Sequence, residues 1–413
     1  NITNGNDPVY NNSSGTHSYT AKYLASDNST IVNLTGNVAV SGNSFVINDG
    51  AGTRAVFDVS AIDGSYSTSN NLEVGGYNLE NTNTSITGSN FTSMLLTGSI
   101  TVDPVRIDVT DNSHISVTDV SKTYDGTASI TSVPITLDAD NTVIVAGDSV
   151  TVSGSGSYNN RHVGTSKAVV IDVALSGTDA NNYALIDADG NPNTRITGNV
   201  GTISQLSSVT WTGATSGGVW SNAANWNNGA IPDQSNVAAA IIPESYSITL
   251  DSDNVLTNTT VTNNGQLIFD GTSDYTFAQV ISGTGSVKKS EVNTLTLSAT
   301  HTYTGDTYIE AGTLKLTGAL ADETDIVMTG SGDWDLQVAE TVASLSMALN
   351  NTISRSAGSS SLVVTGDATL SNTVTTSGNQ TYQDNVTLLA DTTLSGGSQL
   401  LTEGNVNSSA TGG

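Results

Sequence analysis

The sequence predicts an all-β protein in which tandem β modules precede a stacked β-solenoid. Apolar and polar residues alternate in most segments, as in Ala168-Val-Val-Ile-Asp-Val-Ala-Leu175 and Gly312-Thr-Leu-Lys-Leu-Thr317, and this period of two is typical of strands. Helical spacing is nearly absent, and 41 glycines with frequent Asn and Asp end the apolar runs with turns. A length of 413 residues exceeds one ordinary core and requires several domains or one long stack.

The tandem modules are indicated by two stretches that echo each other about 100 residues apart. Leu96-Thr-Gly-Ser-Ile100 corresponds to Ile196-Thr-Gly-Asn-Val200. Self-similarity at such a long period is typical of an array of domains. The sequence therefore predicts one β module over 1–107 and a second over 108–206.

The second module contains three segments in a fixed order: Ser121-Lys-Thr-Tyr-Asp-Gly-Thr127, Arg161-His-Val-Gly164 and Gly177-Thr-Asp-Ala-Asn-Asn-Tyr183. Together they resemble the YDG or MBG-type repeat of bacterial exoproteins. The resemblance implies a small β-sandwich-like module that is strung in tandem on adhesins. The module at 1–107 lacks the Tyr-Asp-Gly signature, because Tyr23 is followed by Leu-Ala, and it is interpreted as a degenerate copy.

Residues 207–252 form a tryptophan-rich junction that holds Trp211, Trp220 and Trp226. A stack of β-coils presents an apolar end and unpaired backbone groups, and large aromatic side chains with a covering loop can shield both. The segment is therefore interpreted as a cap. The alternative is a carbohydrate-binding site made by the same three tryptophans, because exposed indole faces suit sugar rings.

Residues 253–413 are predicted to be successive coils of a β-solenoid. Turn residues followed by short alternating strands recur, as in Asn264-Gly-Gln-Leu-Ile-Phe269, and alternate side chains of each strand can enter a narrow core. At roughly 20 residues per coil, about seven or eight coils fit this region. Together with the tryptophan segment, residues 295–317 resemble the passenger-associated repeats of bacterial autotransporters and filamentous-haemagglutinin-like exoproteins, which implies a right-handed parallel β-helix.

Charge and composition exclude several classes of partner. Acidic residues outnumber basic ones 38 to 11 and the formal net charge is −27, so the chain repels phosphate backbones and offers few cations for counterion release. Nucleic acid is therefore not an expected partner. No run approaches the ~18–20 apolar residues of a membrane span, so no membrane insertion of this chain is expected. The absence of cysteine excludes disulfides and thiolate sites.

No cofactor is predicted for this chain, and calcium is the one inorganic ligand that the sequence offers a candidate loop for. Asp187, Asp189, Asn191 and Asn193 place oxygen ligands at alternate positions of one loop, as calcium loops do, although Pro192 stands where an EF-hand has its glycine. The alternative for this loop is an acidic hairpin turn, because Asp and Asn favour turns for local backbone reasons.

No catalytic residues are predicted. The four histidines are scattered, and no motif of a serine hydrolase, a zinc peptidase or a phosphate-binding loop occurs. Asp333-Trp334-Asp335 is the best pair of carboxylates, since alternate residues of a strand share one face at a separation similar to that in retaining glycosidases. No Arg or Lys follows closely to bind an acidic sugar, so a structural role is favoured.

The favoured hypothesis is a structural and adhesive segment of a large secreted bacterial surface protein, located outside the cell or on its surface. The family resemblance implies projection or assembly as an elongated fibre. Its partners would be host or bacterial surface glycans or proteins, and self-association into filaments is a variant of this hypothesis. The alternatives are a carbohydrate-binding module and a β-helix enzyme that acts on polysaccharides. Both polar ends indicate a piece of a longer polypeptide.

Overall fold

The computed structural model describes the backbone of residues 16–24, 31–39, 44–48, 53–61, 64–86, 98–138, 143–251, 256–389, 391–397 and 400–408. Within these segments, side chains are described for 64–78, 101–138 and all later residues. Strand makes up 52% of the chain and helix 3%, which confirms the prediction of an all-β protein. No helix in the described segments is long and apolar enough to cross a membrane.

The chain divides into two compact units. The first contains residues 1–120, 129–159 and 166–201, and the second contains residues 121–128, 160–165 and 202–413. The predicted division at 107, 206 and 252 is finer than these two units and stays a prediction. The predicted echo of Leu96–Ile100 in the first module lies partly outside the described residues.

In the segments that the structure describes, fifteen strands precede the tryptophan-rich segment. They are β1 Thr16–Leu24, β2 Ile31–Ala39, β3 Ser44–Asn48, β4 Thr53–Ala61, β5 Gly75–Ile86, β6 Gly98–Val102, β7 Val105–Asp108, β8 Ile115–Val117, β9 Val120–Thr123, β10 Ser129–Ile130, β11 Ile135–Leu137, β12 Thr151–Tyr158, β13 Gly164–Ser176, β14 Tyr183–Ile186 and β15 Arg195–Ser204. A short 3-10 turn, Ala180–Asn182, precedes β14.

Antiparallel pairing dominates the first unit. Strands β3, β4, β5 and β6 form one sheet in that order, and β10, β12, β13 and β15 follow one another in another. The long pair β12 and β13 runs from Thr151 opposite Ser176 to Tyr158 opposite Val169. Alternate residues of β13 point into the core, because successive side chains of a strand face opposite sides of the sheet.

The remaining strands belong to the second unit and are much shorter. They are β16 Val209–Thr210, β17 Gly218–Val219, β18 Ala239–Ile242, β19 Ser247–Leu250, β20 Thr260–Asn263, β21 Gln266–Phe269, β22 Tyr275–Phe277, β23 Ile281–Gly283, β24 Ser286–Lys289, β25 Thr294–Leu297, β26 Thr302–Tyr303, β27 Thr307–Leu316, β28 Asp325–Leu336, β29 Ala339–Val342, β30 Ser344–Met347, β31 Thr352–Ser354, β32 Ser361–Val364, β33 Ala368–Leu370, β34 Thr373–Thr375, β35 Gln380–Tyr382, β36 Val386–Leu388, β37 Thr393–Ser395, β38 Leu400–Thr402 and β39 Val406–Ser408.

These short strands wind into a parallel β-solenoid of about 8 turns, as the recurring phrases predict. One face stacks β17, β19, β21, β24, β27, β28, β30, β33, β36 and β39, and a second stacks β22, β25, β27, β28, β31, β34 and β37. Strands β27 and β28 are long enough to bend through both faces. The third face is built from β16, β18, β20, β23 and β26, and further along from β29, β32, β35 and β38.

The core of the solenoid consists of columns of side chains stacked from coil to coil. On the second face, Phe277 pairs with Leu297, which pairs with Leu316 and then with Leu336, and all four are buried. Burying a side chain of this size contributes about 1.5–3 kcal/mol. The coil-to-coil columns therefore supply most of the apolar burial that holds the stack together.

The third face is interrupted where one coil forms no strand. Residues 317–324 carry only an isolated parallel bridge, Thr300 opposite Ala319, between β26 and β29. A missing strand leaves backbone groups of the coils on either side without their ladder partners. Buried polar side chains occupy this interruption and replace some of those partners.

Candidate functional site

The three tryptophans of the junction form one buried cluster in the second unit. Trp211, Trp220 and Trp226 are at most 2% exposed. The ring of Trp226 lies edge-on to Trp211 at a centroid distance of 5.2 Å and to Trp220 at 4.7 Å. Each indole N–H is satisfied by a backbone carbonyl, that of Trp220 by Pro232 at 3.0 Å. The cluster is thus a packed aromatic core with its polar edges paired.

Local sequence explains how the cluster is assembled. The side chain of Asn222 accepts a hydrogen bond from the Ala224 amide and caps the short 3-10 turn Ala223–Asn225, a role that Asn fills well. Asn225 then donates to the Val219 carbonyl at 3.0 Å, which ties the turn to β17. These bonds place Trp226 against the other two indoles.

The position of the cluster fits the capping interpretation. Strands β16 and β17, which flank Trp211 and Trp220, are the first strands in their sheet orders. The indoles pack inside this first coil, and among the described strands no earlier coil of these sheets precedes it. The carbohydrate-binding hypothesis for the three tryptophans stays a prediction, and this packing covers the indole faces on which a sugar ring would stack.

The predicted calcium loop is a hairpin turn in the first unit. The Oδ1 atom of Asp187 accepts hydrogen bonds from the amides of Asp189 at 3.0 Å and Asn191 at 2.9 Å. These bonds, that from the Asn191 amide above all, hold the pKa of Asp187 below its usual range. The side-chain oxygen of Asn193 accepts a hydrogen bond from the Arg195 amide.

The loop thus brings Asp187 and Asn191 together, leaves Asp189 exposed, and directs one carboxylate oxygen to backbone amides. In the part of the chain that the structure describes, no three His, Cys, Asp or Glu side chains converge as a metal site. Calcium binding at Asp187, Asp189, Asn191 and Asn193 stays a prediction.

The Gly177–Tyr183 motif acts as a clamp inside the first unit. The Asp179 carboxylate accepts hydrogen bonds from the hydroxyl and amide of Thr68 and from the Ser149 amide. These hydrogen bonds hold the pKa of Asp179 below its usual range, and the bond from the Thr68 hydroxyl has the largest effect. Asn182 accepts from the Val74 amide at 2.9 Å. The motif therefore fastens the segment around residues 68–74 to the module.

Two aspartates of β28, the half-buried Asp333 and the buried Asp335, bond to the following coil. Asp333 accepts from the Thr352 amide at 2.8 Å, and Asp335 accepts from the amide and hydroxyl of Ser356. Trp334 between them points into the core and is fully buried. The alternation expected for this triplet is therefore present, and its carboxylates serve as acceptors for turn amides.

Two ionisable side chains are buried beside the interruption of the third face. His301 Nδ1 accepts a hydrogen bond from the Ile281 amide at 3.2 Å, and Glu340 Oε1 accepts one from the Leu320 amide at 2.9 Å. Each side chain thus reaches one coil back and accepts a hydrogen bond from a backbone amide there, and Leu320 lies in the interrupted coil itself. His301 Nε2 and Glu340 Oε2 are buried and have no hydrogen-bond partner within the described segments.

Burial dominates the protonation of both groups. It lowers the pKa of His301 to about 4, so the ring is neutral and its Nδ1 is free to accept. It raises the pKa of Glu340 to about 8, against a lowering by the hydrogen bond from the Leu320 amide. Glu340 was not predicted from the sequence as a buried residue. A signal was present, because Glu340 and the buried Val342 occupy alternate positions of β29.

Comparison with known proteins identifies one part of the chain. Residues 110–194 match the family model of the YDG domain. This range includes the three motif segments that carry the resemblance, and most of it lies in the first unit. No curated protein matches the chain, and no solved structure matches it. The comparisons therefore show a similarity to the YDG domain over residues 110–194, ahead of the β-solenoid in the sequence.

Proposed function

We propose that this chain is a structural and adhesive segment of a secreted bacterial surface protein of the autotransporter or filamentous-haemagglutinin type. The β-solenoid carries this proposal. Its inward positions are filled from coil to coil mainly by apolar side chains, with a few buried polar ones such as His301 and Glu340, so the interior is occupied by packing and binding falls to its turns and outer faces. Stacking also lets such a unit lengthen by adding coils, as a projecting fibre requires.

The YDG domain supports the same proposal, because it is consistent with a surface or adhesion-related segment. The outer faces of the solenoid present mainly Thr, Ser, Asn and acidic side chains, and the chain has a net charge of −27. Such a surface keeps an exposed protein soluble and offers many hydrogen-bonding groups to surface glycans or proteins. We propose no catalytic activity, since Asp333 and Asp335 bond to the next coil.

The proposal is tested by displaying the full chain on a non-adherent bacterial strain. Retention is measured on immobilised glycans, on protein-coated surfaces and on cells that display the same chain, which reports self-association. We expect retention several-fold above that of the strain carrying the display anchor alone. Retention equal to the anchor on every surface contradicts the adhesive role.

Matched variants separate the fold from incidental stickiness. Leu314→Asp places a charge in the buried column and disrupts the coil, so adhesion should be lost. Thr296→Asp changes an outward position of the neighbouring strand, so adhesion should remain. Purified protein is also incubated with a panel of polysaccharides. Depolymerisation that disappears in Asp333→Asn would instead establish a β-helix enzyme.

A further inference from the structure

Two segments of the YDG match do not belong to the first unit. Residues 121–128 and 160–165 form part of the second unit, together with the tryptophan-rich segment and the solenoid. They contain the Tyr124-Asp125-Gly126 turn that gives the motif its signature, and Arg161 of the second motif segment. Their partner is the loop over residues 229–236, which follows the tryptophan cluster.

Tyr124 and Gly126 fit this loop closely. Tyr124 is 1% exposed, and its hydroxyl donates to the Ile231 carbonyl at 3.1 Å. Gly126 has a φ of +82°, and a Cβ atom at this position would lie 2.3 Å from the Gly229 carbonyl oxygen. Only glycine fits such a conformation and approach, so the third residue of the signature is required by the contact.

Arg161 binds the turn and the loop at the same time. One guanidinium nitrogen donates to the Tyr124 hydroxyl at 2.6 Å, and the other forms an ion pair with Asp233. The Val163 amide donates to the Asn236 side chain at 2.9 Å, and Asn236 donates in turn to Asp233. Arg161 and Asp233 are largely shielded from water, where charge-assisted hydrogen bonds are at their strongest.

The same loop holds the tryptophan cluster. Three consecutive residues alternate between the two partners: the Ile231 carbonyl accepts from Tyr124, the Pro232 carbonyl accepts from the Trp220 indole, and Asp233 pairs with Arg161. Because these contacts lie on consecutive residues, displacement of the loop from Tyr124 and Arg161 should also weaken the hydrogen bond between Pro232 and Trp220. The loop is the physical link between the YDG turn and the buried aromatic cluster.

We propose that the Tyr124–Gly126 turn and Arg161 are a binding site for the loop over residues 229–236, and that they complete the cap of the solenoid. Part of the cap is thus supplied by the preceding YDG sequence. The cap loop is recognised by a backbone carbonyl, a close approach at Gly126 and a carboxylate. This role explains why a tyrosine, a glycine and an arginine stand at these positions.

The test measures opening of the cap in the full chain. Arg161→Gln, Tyr124→Phe and Asp233→Asn are compared with wild type by limited proteolysis, with cleavage mapped within residues 226–238, and by acrylamide quenching of tryptophan fluorescence. We expect Arg161→Gln to raise cleavage about tenfold or more, because a charge-assisted bond holds the loop closed. Quenching should rise in parallel as the cluster becomes accessible. Arg195→Gln is the matched control, because it breaks an exposed ion pair with Asp172 in the first unit.

The free-energy change for opening of the loop, taken from the cleavage rates, should be smaller in the double variant Arg161→Gln/Asp233→Asn than the sum of the changes in the two single variants, because both substitutions remove the same ion pair. Cleavage and quenching at the level of Arg195→Gln in both single variants would overturn the proposal. If Arg161→Gln unfolds the whole chain, Tyr124→Phe decides, since it deletes one hydroxyl and keeps the ring. Raised cleavage in Tyr124→Phe then supports the cap, and a wild-type rate overturns it.

Discussion

Strands β13 and β27 both bury alternate side chains, yet the neighbours of those side chains differ in kind. On β13 of the first unit, Ile171 is fully buried in a core that has no repeating unit, so its neighbours are not equivalent residues of other strands. On β27 of the solenoid, Leu316 lies between Leu297 and Leu336, its counterparts in the coils before and after. The solenoid repeats one arrangement about every 20 residues. Its stability is therefore a sum over similar interfaces.

Hydrogen bonding shows the same contrast. The bond that joins Thr68 to Asp179 in the first unit spans 111 residues, whereas the solenoid bond from the Thr294 amide to Asp274 spans 20. Where a bond joins residues far apart in the sequence, its removal should loosen the packing of two distant segments of the unit. A stack closed by many short-range bonds loses one local interface. Two equally buried side chains can therefore differ in how far the effect of a mutation spreads.

The largest effect should come from truncating the cores. Leu314→Ala in the solenoid and Ile171→Ala in the first unit each remove a fully buried side chain, and each should cost about 2–5 kcal/mol of unfolding free energy. Denaturant unfolding with hydrogen exchange should place the loss in the unit that carries the substitution. Leu349→Ala, at a 56% exposed position, is the control. Equal destabilisation of both units by either change would contradict the claim that each unit is held together by its own core.

A smaller effect should come from Glu340. Its folded pKa of about 8 lies above the ordinary value of 4.5, so the folded protein holds a proton that the unfolded chain releases. The stability of the solenoid conferred by this proton is complete below pH 4.5 and is lost as the pH rises through 8. The loss between pH 5 and pH 8.5 should be on the order of 2–4 kcal/mol.

Denaturant unfolding of wild type and Glu340→Gln across this range measures the effect. The glutamine variant should lose the part of the pH dependence that Glu340 supplies, because it cannot ionise. Glu310→Gln changes an outward carboxylate paired with Lys288 and serves as the control. Identical pH profiles for wild type and Glu340→Gln would contradict the burial of Glu340.

His301 should produce the opposite pH dependence. Its folded pKa of about 4 lies below the ordinary 6.5, so the unfolded chain takes up a proton that the folded protein refuses. Stability is therefore present above pH 6.5 and is lost as the pH falls through 4, by about 1–3 kcal/mol. His301→Gln retains an acceptor for the Ile281 amide and should flatten this acid limb in denaturant unfolding. His114→Gln, in the first unit, should leave it unchanged.

The smallest of these effects is expected for the hydrogen bonds that outward-facing aspartates accept from the next coil. Asp333→Ala removes the acceptor of one amide, that of Thr352, on a half-buried surface. The cost should be about 1 kcal/mol, the usual net value of one hydrogen bond. Hydrogen exchange should show the loss at the Thr352 amide and its neighbours in β31. Loss of protection throughout the solenoid would contradict the view that its interfaces are local.

Much of the architecture could be predicted because it is written in short-range patterns. Alternation in segments such as residues 312–317 indicated strands, and the recurrence of such phrases indicated stacked coils; both predictions are confirmed. The interruption at residues 317–324 was missed, because a missing strand leaves no periodic signal. The roles of the buried His301 and Glu340 could not be predicted for a different reason: each depends on a backbone amide in the preceding coil, which local sequence does not specify.

The partners of the motif residues could not be read from the sequence. The hydroxyl of Tyr124 bonds to Ile231, 107 residues away, and no local pattern specifies that pairing. The tryptophan segment could be interpreted as a cap from composition, because large aromatics close together suggest a seal. Which loop closes over it, and which residues hold that loop, depends on the folded arrangement.

The stacking of coils is tested most directly with pairs of cysteines, because the natural chain has none. Thr276 pairs with Thr296, and Thr296 pairs with Lys315, on the outer side of three successive coils. Paired residues on neighbouring strands lie about 4.8 Å apart, within reach of a disulfide, whereas residues two coils apart lie about 10 Å apart, beyond its reach. We predict rapid oxidation of Thr276→Cys/Thr296→Cys and Thr296→Cys/Lys315→Cys and none of Thr276→Cys/Lys315→Cys. Disulfide formation in the last pair alone, or in none of the three, would contradict the parallel solenoid.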